Sequence, residues 1–187
     1  ERRAAESACR VVTMPDLAAG VSSIAQALQA NAACVIVAVK PQMFPAVAPE
    51  LARALAGANT IVLSIMAGVT TGAIAASVPG ARVLRAMPNL GAAIARSTTA
   101  LCAGATAREG DLDAVAEIIT HFGTAERIDE SLMDAFTSLA GSGPAFLFYL
   151  AEAMIKAGIQ TGFDPATADT IVRQTILGAA ELLRTER

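Results

Sequence analysis

The chain has 187 residues, 54% of them apolar, with a formal net charge of −3, three cysteines and no tryptophan. No apolar run reaches the ~20 residues that span a bilayer, no basic segment followed by an apolar one opens the chain, and no lysine–arginine patch stands out. Neither a membrane nor a nucleic acid is therefore expected as a partner. Cys9, Cys34 and Cys102 are too scattered for a metal site or a disulfide frame, so a reduced, cytoplasmic protein is expected.

Residues 1 to 33 carry weak signals: a helix end at ERRAAESA, a short strand at CRVV, and a helix capped by Ser22 or Ser23 through Leu28. Cys34 to Val39 is a continuous apolar run, as in a strand buried on both faces of a parallel sheet. It stops at Lys40-Pro41-Gln42, because proline cannot continue a central strand. A helix is predicted from Ala46 to Ala56, a strand over Thr60 to Ile65 ending at Met66-Ala67-Gly68, and a short helix from Thr70 or Thr71 to Val78. After the Pro79-Gly80 turn, Arg82 to Met87 reads as a third strand, ending at Pro88-Asn89. These repeats form the pattern of a doubly wound α/β sheet, whose ligands bind outside the carboxyl ends of the strands.

Thr98 to Cys102 reads as a further strand. Thr106 with Glu109 reads as a capping box, opening a helix whose apolar face is Leu112, Val115, Ile118, Ile119 and Phe122 and which Gly123 ends. A last short strand is predicted over Ala125 to Ile128, and the α/β part closes near Asp129. Ser131 is expected to cap a helix from Leu132 to Leu139.

The run Thr137 to Ala145, TSLAGSGPA, then reads as a corner. Gly141 and Gly143 allow positive φ, Ser142 can cap a helix, and Pro144 suits its first turn. The helix from Pro144 to Ala157 is apolar around most of its circumference. Such a helix must be buried all round, and this chain has too few helices to surround it, so a second subunit is inferred. Asp164-Pro165 starts another helix, with a stripe through Ala168, Ile171, Val172, Thr175, Ile176, Ala179, Leu182 and Leu183.

Three strand ends are candidates for ligand contact. Lys40-Pro41-Gln42 offers backbone amides and one cation, or is simply a proline-stopped strand with an exposed lysine. Ala67-Gly68 has the small residues that let a flat ring lie against backbone, or is an ordinary turn. Asn89 ends the third strand with a side chain able to hydrogen-bond a ligand. The lone histidine, His121, reads as a helix C-terminal residue. No Ser–His–Asp, Cys–His or metal arrangement is available, so any reaction draws its chemistry from a cofactor. No Gly-rich dinucleotide turn stands upstream of Cys34.

Taken together, AVKPQ (Ala38 to Gln42), SIMAGVT (Ser64 to Thr70), RAMPN (Arg85 to Asn89), DAFTSLAGSGPAF (Asp134 to Phe146) and QTILGAAELL (Gln174 to Leu183) resemble the pyrroline-5-carboxylate reductases, in that family's order and spacing. The resemblance covers roughly residues 34 to 184. It implies a partial Rossmann-like domain over 1–129 and an all-helical dimerisation domain over 130–187, forming a homodimer or higher homo-oligomer. It implies reduction of 1-pyrroline-5-carboxylate to L-proline by hydride from NADPH or NADH, with no catalytic side chain assigned and no metal. It places Ala38, Val39, Lys40 and Pro41 in the cofactor loop, Ala67 and Gly68 beside the nicotinamide, and Asn89 and Thr137 at the substrate cleft. Two smaller departures from the family pattern lie within the matched motifs, the second of them minor. Asn89-Leu90-Gly91 replaces Asn-Thr-Pro, and Ala140 replaces serine. The family's Gly-rich loop and its Ser-Pro-Gly-Gly-x-Thr substrate loop are not in this sequence, so the chain is expected to be a fragment that does not bind NADPH at micromolar concentration. The alternatives are a non-catalytic dimerising module, or another two-domain dehydrogenase of hydroxy or keto acids. The latter would need an acid–base partner for Lys156, and none is in view. Arg2 and Arg3 read as solvated charges rather than as a site for a 2′-phosphate.

Overall fold

The computed structural model describes residues 34–185; the elements expected before Cys34, with Arg2, Arg3 and Cys9, lie outside the described residues. The chain divides into two compact units, one ending at Thr137 and the other beginning at Ser138.

The first unit is built on a five-stranded sheet in the order β1-β2-β3-β4-β5: β1 Cys34–Val37, β2 Ile61–Ser64, β3 Arg82–Met87, β4 Ser97–Ala103 and β5 Gly123–Arg127. Helices α1 (Phe44–Ala54), α2 (Thr71–Ser77) and α3 (Asp111–Thr120) follow β1, β2 and β4, and α4 (Met133–Phe136) comes after β5. Strands β1, β2 and β3 run parallel, with Val37 beside Ser64 and Ser64 beside Arg85. This puts their carboxyl ends on one edge of the sheet. Side-chain alternation sorts the core by face. Val35, Val37, Val62 and Val83 pack under Phe44 and Leu51 of α1 and Ile74 of α2. Ile61, Leu63, Leu84 and Leu101 pack under Val115 and Ile119 of α3. Met133 of α4 closes a third cluster with Met87, Ala100 and Cys102.

Several expectations need correction. Strand β1 is shorter than the run Cys34 to Val39, and Ile36 is 48% exposed rather than buried. Its side chain projects on the α3 side of the sheet, and α3 lies over the later strands. The sheet is not uniformly parallel, since β4 runs antiparallel to β3. The connection from Pro88 to Arg96 holds only a 3-10 turn at Leu90–Ile94, too short for the dozen or so residues of a parallel crossover. Thr106 forms no capping box. Its hydroxyl accepts instead from the backbone N–H of Val83 (3.0 Å). That amide lies beyond the last β3–β4 partner, Leu84 with Ala103, and so needs an acceptor. Gly110, at φ 85°, is the actual N-cap of α3, and the Asp111 carboxylate accepts from the Arg108 amide and from Arg82. Phe122 is exposed rather than on the buried face of α3. Gly123 does not end that helix, which closes at Thr120 with His121 as its C-cap. It opens β5 at φ 147°, where a Cβ would lie 1.9 Å from the Ser97 carbonyl oxygen.

Ser131 caps nothing. The predicted helix from Leu132 to Leu139 is three pieces: a 3-10 turn at Glu130–Leu132, then α4, then a π-helical turn at Thr137–Gly141. The glycine run is not a corner either. Ser142 is right-handed helical (φ −86°) with no side-chain cap, and neither Gly141 nor Gly143 has positive φ. The chain passes from the π-helical turn into α5 (Gly143–Gln160) with Pro144 in its first turn, so the widened turn replaces a break.

In the second unit α5 packs against α6 (Pro165–Thr185). Gly158 faces Ala168, where an added Cβ would come within 3.3 Å. Asp164 caps α6 as expected, its Oδ1 accepting from Ala166 and Thr167 (both 3.1 Å). Only Ala168 and Val172 of the apolar stripe are buried. α5 has no buried residue, and Phe146, Phe148 and Tyr149 are 65%, 63% and 76% exposed. By length and composition alone, the stretch 130–160 is long and apolar enough to cross a bilayer.

Candidate functional site

The carboxyl edge of β1, β2 and β3 gathers the three loops singled out in the sequence. Past β1, Val39 and Pro41 are half-buried while Ala38 and Lys40 are exposed. Lys40 is extended (φ −63°, ψ 140°) before a 3-10 turn at Pro41–Met43, with its carbonyl accepting from the Met43 amide. Past β2, the Ile65 amide donates to the Val37 carbonyl (3.1 Å) and the buried Ser64 hydroxyl accepts from the Met66 amide (3.2 Å). The loop then exposes Ala67 and Gly68. Gly68 is left-handed (φ 70°) with no atom within 4 Å of an added Cβ, so its backbone faces open space. Thr70 closes the loop by accepting from the Ala73 amide (3.2 Å) and capping α2.

Past β3, the Asn89 amide donates to Ser97 Oγ (3.1 Å), and Asn89 Oδ1 accepts from the Gly91 amide (2.9 Å). The turn closes with the Arg96 amide on the Gly91 carbonyl (2.8 Å) and Ala95 in the left-handed region (φ 55°). Gly91 fits where little else does: an added Cβ would lie 2.5 Å from the Arg96 carbonyl oxygen. The asparagine thus braces its own loop. It also lines a polar cleft of about 440 Å³ with Arg96, Thr98, Thr120 and Thr124. Thr137 stands apart from these strand ends in the sequence of elements. It opens the π-helical turn, and its hydroxyl donates to the Met133 carbonyl (2.7 Å). His121 ends α3, Nδ1 against the Glu117 carbonyl (3.0 Å).

A charged cluster that the sequence reading missed lies behind the edge. Arg85, 3% exposed, projects from β3 and pairs through Nη1 with Glu130 Oε1 (2.9 Å). Glu130 also accepts from the Thr71 amide (2.7 Å) and hydroxyl (2.6 Å) at the start of α2. Burial alone would push the Glu130 carboxyl up. The Thr71 hydrogen bonds and the Arg85 guanidinium outweigh it and hold the carboxyl below its ordinary value. Burial pushes the nearby Cys102 thiol up, the Glu130 charge adds to that, and Arg85 offsets part of it, so the thiol is neutral near pH 7. No local signal marks Glu130, because its partner Thr71 is 59 residues away.

Residues 130–187 match the family model for pyrroline-5-carboxylate reductase dimerisation. The pyrroline-5-carboxylate reductase of Methanosarcina acetivorans is 41% identical over 148 residues, covering 79% of this chain and 54% of the relative. The structure of that enzyme from Coxiella burnetii superimposes with a TM-score of 0.78 at 32% identity, covering 95% of this chain and 64% of the other. The Plasmodium falciparum pyrroline carboxylate reductase, solved with NADP bound, gives 0.72 at 27% identity over 80% of this chain and 59% of the other. The chain spans little more than half the length of the Methanosarcina relative. Sequence and fold are both similar to those of the pyrroline-5-carboxylate reductases.

Proposed function

We propose that this chain is the greater part of an oxidoreductase that reduces 1-pyrroline-5-carboxylate to L-proline, the last step of proline synthesis, with NADPH or NADH. The observation that carries the reading is the 41% identity to a pyrroline-5-carboxylate reductase over 79% of the chain. The residues present suit the nicotinamide half of a dinucleotide: Gly68 leaves open space over exposed backbone, and Lys40 adds a cation one strand away. When bound, the dinucleotide supplies the hydride, delivered to the C=N carbon of the cyclic imine. The protein's part is then to bind and orient. Ala38, Val39, Lys40 and Pro41 would hold the cofactor, and Ala67 and Gly68 would support its nicotinamide ring. Asn89 and Thr137 belong to the substrate cleft. Asn89 acts there chiefly by setting the shape of its loop, since its Oδ1 is already engaged by Gly91.

The exposed apolar surface of α5 and α6 is read as the face of a homodimer or larger homo-oligomer in the cytoplasm. The match of 130–187 to a dimerisation domain favours that occupant over a bilayer. The test is oxidation of NADPH by the protein carrying this chain. Oxidation that depends on 1-pyrroline-5-carboxylate and yields proline supports the reading; oxidation indifferent to that substrate, or absent, removes it.

A further inference from the structure

Glu130 lies behind the strand-end edge, and hydride transfer makes no direct use of it. Its two carboxylate oxygens take three donors: the Thr71 amide, the Thr71 hydroxyl and Arg85 Nη1. Arg85 cannot swing away, because it is 3% exposed within the sheet and Glu130 is its only ion-pair partner among the described residues. Arg85 Nε and Nη2 have no acceptor among those residues either. A guanidinium this deep depends on its single counter-charge, so the carboxylate is fixed in place and Thr71 is fixed with it.

Thr71 follows directly on the loop that runs from Ile65 to Thr70. The far end of that loop is pinned by the Ser64 hydroxyl and the Val37 carbonyl. Between the two pins lie Ala67 and Gly68, exposed and with open space beside Gly68. A loop whose central glycine is free to populate several backbone wells keeps one shape only if both ends are held.

We propose that Glu130 is a positioning residue that fixes the Ala67-Gly68 loop for the dinucleotide by clamping Thr71 to Arg85. This rests on the reading of that loop as the nicotinamide support. Glu130 is also the first residue of the stretch that matches the dimerisation model.

Three variants of the protein carrying this chain separate positioning from bulk stability. Thr71→Val keeps the Arg85–Glu130 pair and removes one clamp bond. Glu130→Gln removes the charge. Arg85→Met with Glu130→Leu removes the whole clamp without stranding a buried charge, so a folded protein is retained even where Glu130→Gln melts early. The readouts are the NADPH dissociation constant, kcat at saturating NADPH, the melting temperature, and amide exchange over residues 66–71. The double variant is expected to fold, to exchange faster over 66–71, and to bind NADPH about tenfold more weakly, the loss that one or two hydrogen bonds to a charged group predict, with kcat within about twofold. Thr71→Val is expected to shift both readouts in the same direction by less. Wild-type affinity and exchange in a folded double variant overturn the positioning role alone. A wild-type protein that does not bind NADPH overturns the reductase reading, and the positioning role falls with it.

Discussion

Arg85 carries a positive charge into the sheet and meets one counter-charge among the described residues, Glu130, and that arrangement has a pH signature. The folded Glu130 carboxyl sits below its ordinary value. Its contribution to stability is therefore fully present above the pKa of an unfolded glutamate, about 4.3, and is lost as pH falls through the lower folded value. Glu130→Gln is expected to cost about 1–3 kcal/mol at pH 7, in the range for a lost hydrogen bond to a charged group. Urea melts from pH 7 to pH 3 should show the two proteins converging in acid; a gap that stays constant contradicts the assignment. Glu130 could not be found in the sequence because its meaning comes from Thr71 and Arg85, which are adjacent to it only after folding. Asn89 was legible, since a polar residue after Met-Pro at a strand end stands out. Its orientation was not, because the Gly91 amide that engages it is set by a tight turn. Thr106 misled for a related reason: an orphan strand amide at Val83 claimed a hydroxyl that local spacing assigned to a helix start.

At the scale of elements, β3 was read to the residue and β2 nearly so, because apolar runs stopped by proline or glycine mark buried strands without reference to anything distant. Direction was not legible in the same way. β4 turns back antiparallel because the chain between Pro88 and Arg96 is short, and its last turn is held by Gly91 and left-handed Ala95. Gly123 looked like a helix stop but is a strand start in a position closed to any Cβ. Gly123→Ala combines a forbidden φ with a collision against Ser97, both backbone effects with no flexible side chain to yield. A loss of about 3 kcal/mol or more is expected, read as a lower melting temperature. Alanine tolerated there at wild-type stability contradicts the close β4–β5 approach at Ser97. The glycine run 141–143 was over-read in the opposite sense. Glycine permits positive φ but does not require it, and here the backbone stays right-handed through a π-helical turn into α5.

For the whole molecule, the informative quantity is what remains uncovered. Phe146, Phe148, Tyr149 and Leu150 on α5, with Leu177, Leu182 and Leu183 on α6, leave more apolar surface in water than a lone helical pair tolerates. The sequence signalled this, because a helix apolar around its circumference needs partners on every side, but it gave no geometry for the pairing. Phe148→Glu buries a charge if that face is an interface. Association is then expected to weaken by about 2 kcal/mol or more, seen as a shift toward monomer by light scattering at micromolar protein; unchanged mass contradicts the assembly. The proposed reading assigns the apolar face of α5 and α6 to assembly and the strand-end loops to the cofactor. Its central claim is tested most directly by following the hydride itself. With NADPH carrying deuterium at the transferable position and 1-pyrroline-5-carboxylate as acceptor, the protein carrying this chain should yield L-proline bearing one deuterium on the former C=N carbon. Proline without the label, or no proline at all, contradicts it.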